Sequence, residues 1–436
     1  MTPPVPAASA PKDTPRVIWS WAFYDWANSA FTTLVVTFIY STYFTQAIAP
    51  DEIAGTAWWS RAVGLSALIV ALTSPLLGAA ADRGGTRKVW LGLCTGICVT
   101  GTTALAFIPP GAPHAALTAL TLFVLANVAF EMSMVFYNAF LPDIASEGRI
   151  GRVSGYGWGL GYAGGLLCMV LALVGFVQPE VPWFGISTAN GFNIRATNLL
   201  VAGWYLLFSL PIFFVVPEKR IHGAGLRFGA AVAQLRETFR AVGRYREIVK
   251  FLVARLVYND GLVTIFAFGG IYAAGTFGMP ISEVILFGIG LNLASGLGAL
   301  AFGVVDDRIG GKKTILLTLV ALSIATVMAV LAPTKAWLWV AGILIGIFVG
   351  PNQSASRSLM GRFVPERHRA EFFGFFAFSG KVTSFMGPIL LGIAASAFQT
   401  QRAGVATVLL FFLVGGALLL SVNESTAIAA RKAADA

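Results

Sequence analysis

Long apolar stretches of this sequence carry a few polar side chains that could bind a solute. The first stretch holds Asp25, Asn28 and Ser29, which share one face of a helix because they lie three and four residues apart. Trp21 and Tyr24 precede them in the same stretch. Charged groups are costly in such surroundings, so a charge retained there is a candidate for binding or for proton transfer.

Four later apolar stretches carry comparable groups: Asn127 and Glu131; Arg255, Tyr258, Asn259 and Asp260; Asn352 and Gln353; and Lys381. The carboxylates can meet an ammonium group and the basic side chains can meet a carboxylate, so the set suits a zwitterionic solute. Asp25 and Glu131 are also candidates for proton coupling, because a desolvated carboxyl takes up a proton more readily.

Simpler explanations stay open for several of these charges. Asp25 lies close to the start of its stretch and could reach the edge of the apolar region. Arg255 could be an anchor near a helix end. Asp260 and Lys381 could each be present only to neutralise an opposite charge.

A loop sequence that occurs twice is the most specific signal in the chain. Residues 78–88 and 303–313 share the skeleton G-x-x-x-D-R-x-G-x-[RK]-K. An Asp at a helix end can pair with the adjacent Arg or accept hydrogen bonds from amides at a neighbouring helix N-terminus. A basic, glycine-rich loop by itself does not explain the same skeleton in two places. We therefore predict a gate formed by Asp82, Arg83, Arg87, Asp307 and Arg308.

The elements that position these residues follow from the composition. Of 436 residues, 57% are hydrophobic and 11% are charged, whereas soluble domains are about one quarter charged. Apolar runs of about 20 residues span a bilayer as helices. The sequence predicts an all-α membrane protein with twelve transmembrane helices, at 17–48, 58–81, 88–108, 115–141, 153–177, 197–216, 248–276, 281–305, 314–332, 336–360, 372–397 and 403–422. Pro351 indicates a break in the tenth helix, because proline frees a backbone carbonyl.

The basic residues predict how these helices are oriented. The net charge of +10 is concentrated in alternate loops, which is the pattern of cytoplasmic loops and not that of a nucleic-acid surface. Both termini are therefore predicted to be cytoplasmic. The repeated loop and a basic linker divide the chain into a disordered tail (1–16), an N-terminal six-helix bundle (17–216), the linker (217–247), a C-terminal six-helix bundle (248–422) and a second tail (423–436). Within the linker, residues 226–246 are predicted to form a surface helix.

Other kinds of site find no support in the sequence. Gly159, Gly161 and Gly164 match a dinucleotide-binding pattern, but they lie inside an apolar helix without a preceding strand. The three cysteines and three histidines do not cluster with carboxylates, so no metal set or catalytic triad can be assembled from them. We expect no enzyme activity, no cofactor and no bound metal.

The repeated loop matches the signature of the major facilitator superfamily, in which it stabilises one facing of a secondary transporter. Within that superfamily the chain resembles the vacuole-effluxer-like transporters, the bacterial relatives of the autophagy-related vacuolar amino-acid effluxer. The resemblance rests on YDWANSAF (24–31), YNAFLPDI (137–144), YNDG (258–261), SRS (356–358), PE (365–366) and EFFG (371–374). It implies efflux of small solutes, with amino acids carried by the fungal members.

Together these observations predict a secondary active transporter of a small, amino-acid-like solute that works by alternating access, with proton coupling as a further hypothesis. Helices one, four, seven and ten are expected to line the solute site. A drug or xenobiotic efflux pump is one alternative, favoured by the aromatic content, and a non-transporting membrane scaffold or sensor is another. The expected partners are the solute, protons and the lipid bilayer. We expect a monomer that binds no nucleic acid, in a bacterial cytoplasmic (inner) membrane.

Overall fold

A computed structural model describes residues 11–218, 228–240 and 243–436, and the regular secondary structure of those residues is helical. The N-terminal half contains α1 (Pro15–Ala30), α2 (Glu52–Gly84), α3 (Arg87–Leu105), α4 (Ala115–Ala139), α5 (Ile150–Ala172) and α6 (Phe192–Val215). The linker contains α7 (Phe228–Arg240). The C-terminal half contains α8 (Arg246–Phe277), α9 (Ile281–Ile309), α10 (Gly311–Leu331), α11 (Lys335–Phe363), α12 (Arg369–Ser379), α13 (Met386–Ala397), α14 (Gln401–Ala406) and α15 (Val408–Leu420), and α16 (Glu424–Asp435) follows. Short helical turns lie at Leu141–Ile144, Trp183–Gly185, Ala189–Gly191 and Glu366–His368.

Ten helical spans of the described residues are long and apolar enough to cross a membrane. The predicted first and eleventh helices fall outside this count because each is divided. α1 continues into the π-helical stretches Phe31–Phe38 and Phe44–Ile48, which flank the turn Tyr40–Tyr43. A turn over residues 380–385 separates α12 from α13. The all-helical membrane fold is confirmed, while twelve crossings and the orientation of the termini stay predictions.

The helix break predicted at Pro351 is wrong, because α11 runs without interruption from Lys335 to Phe363. Proline cannot donate to the carbonyl four residues earlier, which here belongs to Ile347. The backbone of α9 packs directly over that carbonyl: a Cβ atom added to Gly298 would lie 2.1 Å from the Ile347 oxygen. A neighbouring helix therefore supports this turn of α11, and the chain breaks instead between α12 and α13.

The two halves meet mainly along two helix pairs, α2 with α12 and α5 with α9. Glycines permit a close approach in both pairs. A Cβ atom on Gly374 of α12 would lie 2.4 Å from the Ser74 carbonyl oxygen, and one on Gly155 of α5 would lie 2.5 Å from the Ala299 carbonyl oxygen. Ser74 Oγ also donates to the Gly374 carbonyl at 2.9 Å. The same kind of contact thus occurs on both sides of the pseudo-symmetric molecule.

The linker helix lies on the end of the molecule that carries the repeated loops 82–88 and 307–313, here called the motif face. Ala231 of α7 is buried against Ala79 and Ala80 of α2. The helix predicted at 226–246 therefore spans Phe228–Arg240 and packs on the N-terminal half. Residues 219–227 and 241–242, and residues 1–10 of the predicted tail, lie outside the described residues.

The C-terminal segment 423–436, predicted as a tail, forms α16 and docks on the motif face. Glu424 accepts hydrogen bonds from the amides of Gly311 and Lys312, at 3.3 and 3.2 Å. These amides lie at the N-terminus of α10, where a carboxylate is favoured by the helix dipole. Arg431 contacts Glu147 of the N-terminal half, so α16 bridges the two halves.

Candidate solute site and gate

A buried ion pair joins the two halves deep within the helix bundle. Arg357 Nη1 of α11 donates to Asp25 Oδ2 of α1 at 2.8 Å, and the two side chains are 3% and 7% exposed. A Cβ atom on Gly157 would lie 2.5 Å from this carboxylate oxygen, so only glycine leaves room for the pair. Buried charges persist when they are paired and hydrogen-bonded, and the contact therefore holds α1 and α11 in one relative position.

Arg357 satisfies its remaining donors on α4 and α5. Nε donates to Ser154 Oγ at 2.9 Å, Nη2 donates to the Ser154 carbonyl at 2.7 Å, and Nη1 lies 3.3 Å from Asn138 Oδ1. Three aromatic rings surround the guanidinium at 4.9, 5.7 and 5.6 Å, those of Trp21, Tyr137 and Trp158. Their faces stabilise the cation, so Trp21, a predicted binding residue, contributes to the ion-pair site.

A second ion pair joins the halves and is partly exposed. Lys381 Nζ, in the turn between α12 and α13, lies 2.6 Å from Glu131 Oε1 of α4. The two side chains are 32% and 21% exposed, although Glu131 lies inside α4 rather than at its end. A carboxylate and an ammonium group that are both accessible in the interior offer charges of each sign to a small solute.

Two predicted binding residues of α8, Arg255 and Asn259, contact the end of α12 and the start of the 380–385 turn. Arg255 Nη1 donates to the Phe376 carbonyl at 2.7 Å and to Ser379 Oγ at 2.8 Å, and its guanidinium lies over the Phe376 ring. Asn259 Nδ2 donates to the Gly380 carbonyl at 3.2 Å. Arg255 and Asn259 therefore position the end of α12, immediately before Lys381.

Three predicted binding residues face the interior of their own half. Their hydrogen bonds measure 2.7 to 2.9 Å and join Tyr24 to Thr95 and Tyr205, Tyr258 to Ser356, and Asn352 to Thr318. All three side chains are buried. They shape each half beside the ion pairs and do not reach across to the opposite half.

The remaining predicted residues lie close to the ion pairs. Asn28 Nδ2 is 3.5 Å from Asp25 Oδ1 and 3.4 Å from Met134 Sδ. Asn127 is buried one helical turn before Glu131, and Gln353 is partly exposed one turn before Arg357. Asp260 is buried, and its Oδ1 lies 3.2 Å from the hydroxyl oxygen of Thr383 in the 380–385 turn. The structure thus brings the predicted polar residues of α1, α4, α8 and the turn together.

At the motif face, each repeated loop binds a helix of the opposite half. Asp82 accepts from the Ala370 and Glu371 amides at the N-terminus of α12, at 3.0 and 2.9 Å. Asp307 accepts from the Gly151 amide at the N-terminus of α5, at 2.8 Å. A carboxylate at such a position caps free amides and interacts favourably with the helix dipole. We call these contacts the Asp82 latch and the Asp307 latch; both are formed, so the motif face is closed.

The basic residues of the two loops differ in their contacts. Arg87 Nη2 lies 2.9 Å from Asp143 Oδ2, and Arg369 of the opposite half contacts the same carboxylate. Arg308 is exposed, and within the described residues no hydrogen bond or ion pair of its side chain is found. Of the predicted gate residues, Arg87 therefore reinforces the closed face through a bridging acid, whereas Arg308 faces outward.

The linker helix covers the Asp82 latch. Gln234 of α7 accepts from Arg83 Nε at 2.7 Å and donates to Glu371 Oε2 at 2.5 Å. The same Glu371 oxygen is 2.8 Å from His368 Nδ1. Burial lowers the pKa of His368, but the hydrogen bond to Glu371 and the negative charge there raise it, so the net pKa lies above its ordinary value. The closed motif face therefore favours the protonated form of His368.

Several residues of the site have no assigned role in the sequence analysis. Arg357 has one usable signal, a charge within an apolar helix, because it lies inside α11. Asp306 pairs with Arg362 at 2.7 Å, but it directly precedes the motif Asp and cannot be separated from it by pattern alone. Gln234 lies in the polar linker, where nothing in the neighbouring sequence distinguishes a functional amide side chain from the other polar residues.

The sequence matches a known family. A family model described as "Vacuole effluxer Atg22 like" matches residues 47–432. The chain belongs to this family. The matched region of this vacuole effluxer Atg22-like protein includes both latches and the Glu131–Lys381 pair, whereas α1 with Asp25 precedes it.

Curated relatives include a bacterial and a fungal protein. The Uncharacterized MFS-type transporter YxiO of Bacillus subtilis (strain 168) is 29% identical over 419 residues, covering 93% of this chain and 95% of that protein. Autophagy-related protein 22-2 of Emericella nidulans is 26% identical over 305 residues, covering 62% of this chain and 49% of that protein. The chain therefore spans about half the length of this fungal relative.

Solved structures of transporters share the fold. The proton:xylose symporter XylE bound to 6-bromo-6-deoxy-D-glucose superposes with a TM-score of 0.73 at 12% identity, covering 93% of this chain and 94% of that chain. The human organic anion transporter MFSD10 superposes with a TM-score of 0.69 at 16% identity, covering 93% and 99%. At these identities the likeness shows the major facilitator fold alone. Fold and family together make this Atg22-like protein a multi-pass membrane protein of the secondary-transporter class.

Proposed function

We propose that this protein moves a small, amino-acid-like solute across the membrane by alternating access. The observation that carries the proposal is the Glu131–Lys381 pair, which joins the halves at 2.6 Å and is partly exposed. A zwitterion offers an ammonium group to Glu131 and a carboxylate to Lys381, so it replaces the inter-half contact with two contacts of its own. A ligand shifts a conformational equilibrium only when it interacts differently with the two states, and this exchange supplies such a difference.

The gate contacts define the two states of the proposed cycle. In the described state, both Asp latches and the buried Asp25–Arg357 pair hold the motif face closed. We propose that this face is cytoplasmic, in a bacterial cytoplasmic membrane, because the basic loops lie there. The described state then faces outward, and release of the latches opens the path to the cytoplasm.

Proton coupling is part of the proposal. Asp25 and Glu131 each balance a cation in the closed state. When the halves move, a carboxylate that loses its cation in the bilayer interior is stabilised by taking up a proton. Both acids are therefore expected to take up a proton when their ion pairs open and to release it when the pairs form again.

Uptake of radiolabelled amino acids by proteoliposomes tests the proposal. Glu131→Gln and Lys381→Gln are each expected to reduce uptake at least about tenfold, since one charge of the site is lost. Lys335→Gln is the matched control, because Lys335 pairs with Glu283 at 3.0 Å at an exposed position within one half. Absence of uptake for all labelled amino acids, or full uptake by both site variants, would contradict the proposal.

A drug or xenobiotic efflux pump for an organic cation is the rival, and the same variants separate it when a labelled organic cation is the substrate. An organic cation binds the Glu131 carboxylate and does not need the Lys381 ammonium group. Its transport would therefore survive Lys381→Gln and fail in Glu131→Gln. The aromatic rings at the site do not argue for an organic-cation substrate, because Trp21, Tyr137 and Trp158 already surround the guanidinium of Arg357.

A further inference from the structure

Asp260 of α8 differs from the two paired acids of the interior. Asp260 is 1% exposed, and among the described residues no cation lies within ion-pair distance of its carboxyl group. The side-chain contact found for its carboxyl group is the Thr383 hydroxyl, 3.2 Å from Oδ1. An unpaired carboxylate is expensive in the bilayer interior, whereas the neutral acid is tolerated.

The cations nearest along the chain are engaged by other groups. Arg255, on the same helix, binds the Phe376 carbonyl and Ser379, and Lys381, in the adjoining turn, binds Glu131. Of the other elements packed against α8, α13 and α15 carry no charged residue.

The charged and titratable groups on the other elements packed against α8 have partners of their own or lie exposed. On α9 these contacts are Glu283 with Lys335, Asp306 with Arg362 and Asp307 with Arg152, while Arg308 is exposed. On α11 and α12 they are Arg357 with Asp25, Arg369 with Asp143 and Glu371 with His368. On α14 and α16 they are Arg402 with the Ala332 carbonyl, Glu424 with the Gly311 amide, Arg431 and Lys432 with Glu147, and Asp435 with Arg431. On α8 itself, Tyr258 is hydrogen-bonded to Ser356. The surroundings of Asp260 therefore suit a neutral carboxylic acid.

The hydroxyl of Thr383 supports the same protonation state. Its oxygen lies 3.2 Å from Asp260 Oδ1 and 3.5 Å from the Leu256 carbonyl oxygen, but it has one proton to donate. If Asp260 is protonated, its O–H donates to Thr383 Oγ1 and the Thr383 O–H donates to Leu256. If Asp260 is ionised, Thr383 can serve only one of the two acceptors. Both contacts are therefore hydrogen bonds only in the protonated form.

We propose that Asp260 binds and releases a coupled proton, and that Thr383 relays its state to the Glu131–Lys381 pair. This inference rests on the proposed transport function and adds a proton site to it. Release breaks the Asp260 O–H bond and passes the proton to water, and uptake re-forms that bond from water on the other side of the membrane. The resulting carboxylate turns the Thr383 hydroxyl toward itself and away from Leu256.

The turn between α12 and α13 connects this change to the solute site. Thr383 lies two residues after Lys381 in that turn. The first turn of α13 sits directly on α8 there, because a Cβ atom on Gly387 would lie 1.9 Å from Thr264 Oγ1 and 3.0 Å from the Asp260 carbonyl oxygen. With so little free space, a rotation at Asp260 moves the turn and the lysine that binds Glu131.

Infrared difference spectra between mildly acidic and alkaline buffer test the proton site without a substrate. The wild-type protein is expected to show the C=O band of protonated carboxylic acids, and Asp260→Asn is expected to lose part of its intensity. Glu131→Gln and Asp51→Asn, an acid that caps α2 at an exposed position, are expected to keep it. A band of undiminished intensity in Asp260→Asn, or no band in the wild type, overturns the inference. If Asp260→Asn does not fold, Asp260→Glu is used, and an unshifted band then overturns it.

Uptake of labelled amino acids tests the relay. In wild-type proteoliposomes a pH gradient is expected to change uptake several-fold, and Thr383→Val is expected to keep the infrared band but lose this response. A gradient response that persists in Thr383→Val overturns the relay. Failure of the transport proposal has a different signature, namely no uptake of any labelled amino acid while the band still depends on Asp260.

Discussion

Arg357 of α11 lies 2.8 Å from Asp25 of α1, and this buried contact crosses from the C-terminal to the N-terminal half. Removing one partner leaves the other charge buried and unpaired, which costs about 3–5 kcal/mol. We expect Asp25→Asn and Arg357→Gln each to destabilise the protein by about this amount. The double variant should lose clearly less than the sum, because it leaves no unpaired charge. Unfolding in detergent micelles measures all three, and strictly additive losses would contradict the pairing.

Gly157 is expected to be essential for the same contact. A Cβ atom there would lie 2.5 Å from Asp25 Oδ2 and 2.7 Å from Arg357 Nη2, so Gly157→Ala pushes the pair apart. We expect a loss of about 1–3 kcal/mol, the usual result of overpacking. Gly96→Ala is the control, because nothing lies within 4 Å of a Cβ atom at that helical position; it should be neutral or stabilising by up to about 1 kcal/mol. Equal effects of the two alanines would argue against a steric role of Gly157.

The two latches are expected to set how often the motif face is closed. Asp82→Ala and Asp307→Ala each remove a helix cap across the interface, worth about 1 kcal/mol, and should shift the equilibrium toward the open face roughly fivefold. Spin labels at positions 148 and 313, which are exposed on opposite halves, report this as an increase in the population of long distances.

The control for the latch experiment is another capping aspartate. Asp51 accepts from the Ala54 amide at 2.8 Å at the N-terminus of α2, within one half. Asp51→Ala should lose a comparable amount of helix stability but leave the label distances unchanged. A similar distance change in this variant would mean that helix capping in general, and not the inter-half contact, controls the opening.

Closure of the motif face is expected to depend on pH through His368. Burial lowers the pKa of His368, while the hydrogen bond and charge of Glu371, with the charges of Asp82 and Glu237, raise it above 6.5 overall. A group whose pKa is higher in the closed state stabilises that state fully below the pKa of the open state. The stabilisation is lost as the pH rises through the pKa of the closed state. The closed population should therefore fall as the pH rises above about 6.5.

The label distances at positions 148 and 313 also measure this pH dependence. His368→Gln should flatten the profile across the neutral range. His114→Gln is the matched control, since His114 precedes α4 in a loop on the opposite face. An unchanged profile in His368→Gln would assign the titration to another group.

Much of the fold was predictable because helix formation in a membrane depends on local composition. Long apolar runs mark the helices, and the repeated skeleton marks equivalent loops such as those of Asp82 and Asp307. The expectation for Pro351 failed for a non-local reason: α9 packs over the carbonyl that the proline leaves free. The divided eleventh helix was missed because the apolar residues 372–378 and 385–395 lie on both sides of the turn and were joined into one run.

The candidate site was predictable only as a set of residues. Asp25, Glu131 and Lys381 were recognisable because a charge in an apolar helix is rare. The partner of Asp25 was not, because Arg357 lies 332 residues away along the chain. The unpaired state of Asp260 was equally hidden, since Arg255 and Lys381 are close in sequence and turn out to bind other groups.

The sequence by itself determined the helices, the two related halves and the acids and bases buried among them. These follow from hydropathy, helical spacing and repetition, which act over a few turns of one helix. Only the tertiary structure decided which charge meets which, that the motif loops cap helices of the opposite half, and that no cation of the described residues lies beside Asp260. The physical reason is that an ion pair depends on two side chains arriving within about 4 Å, and helix packing brings them there through contacts that no local pattern encodes.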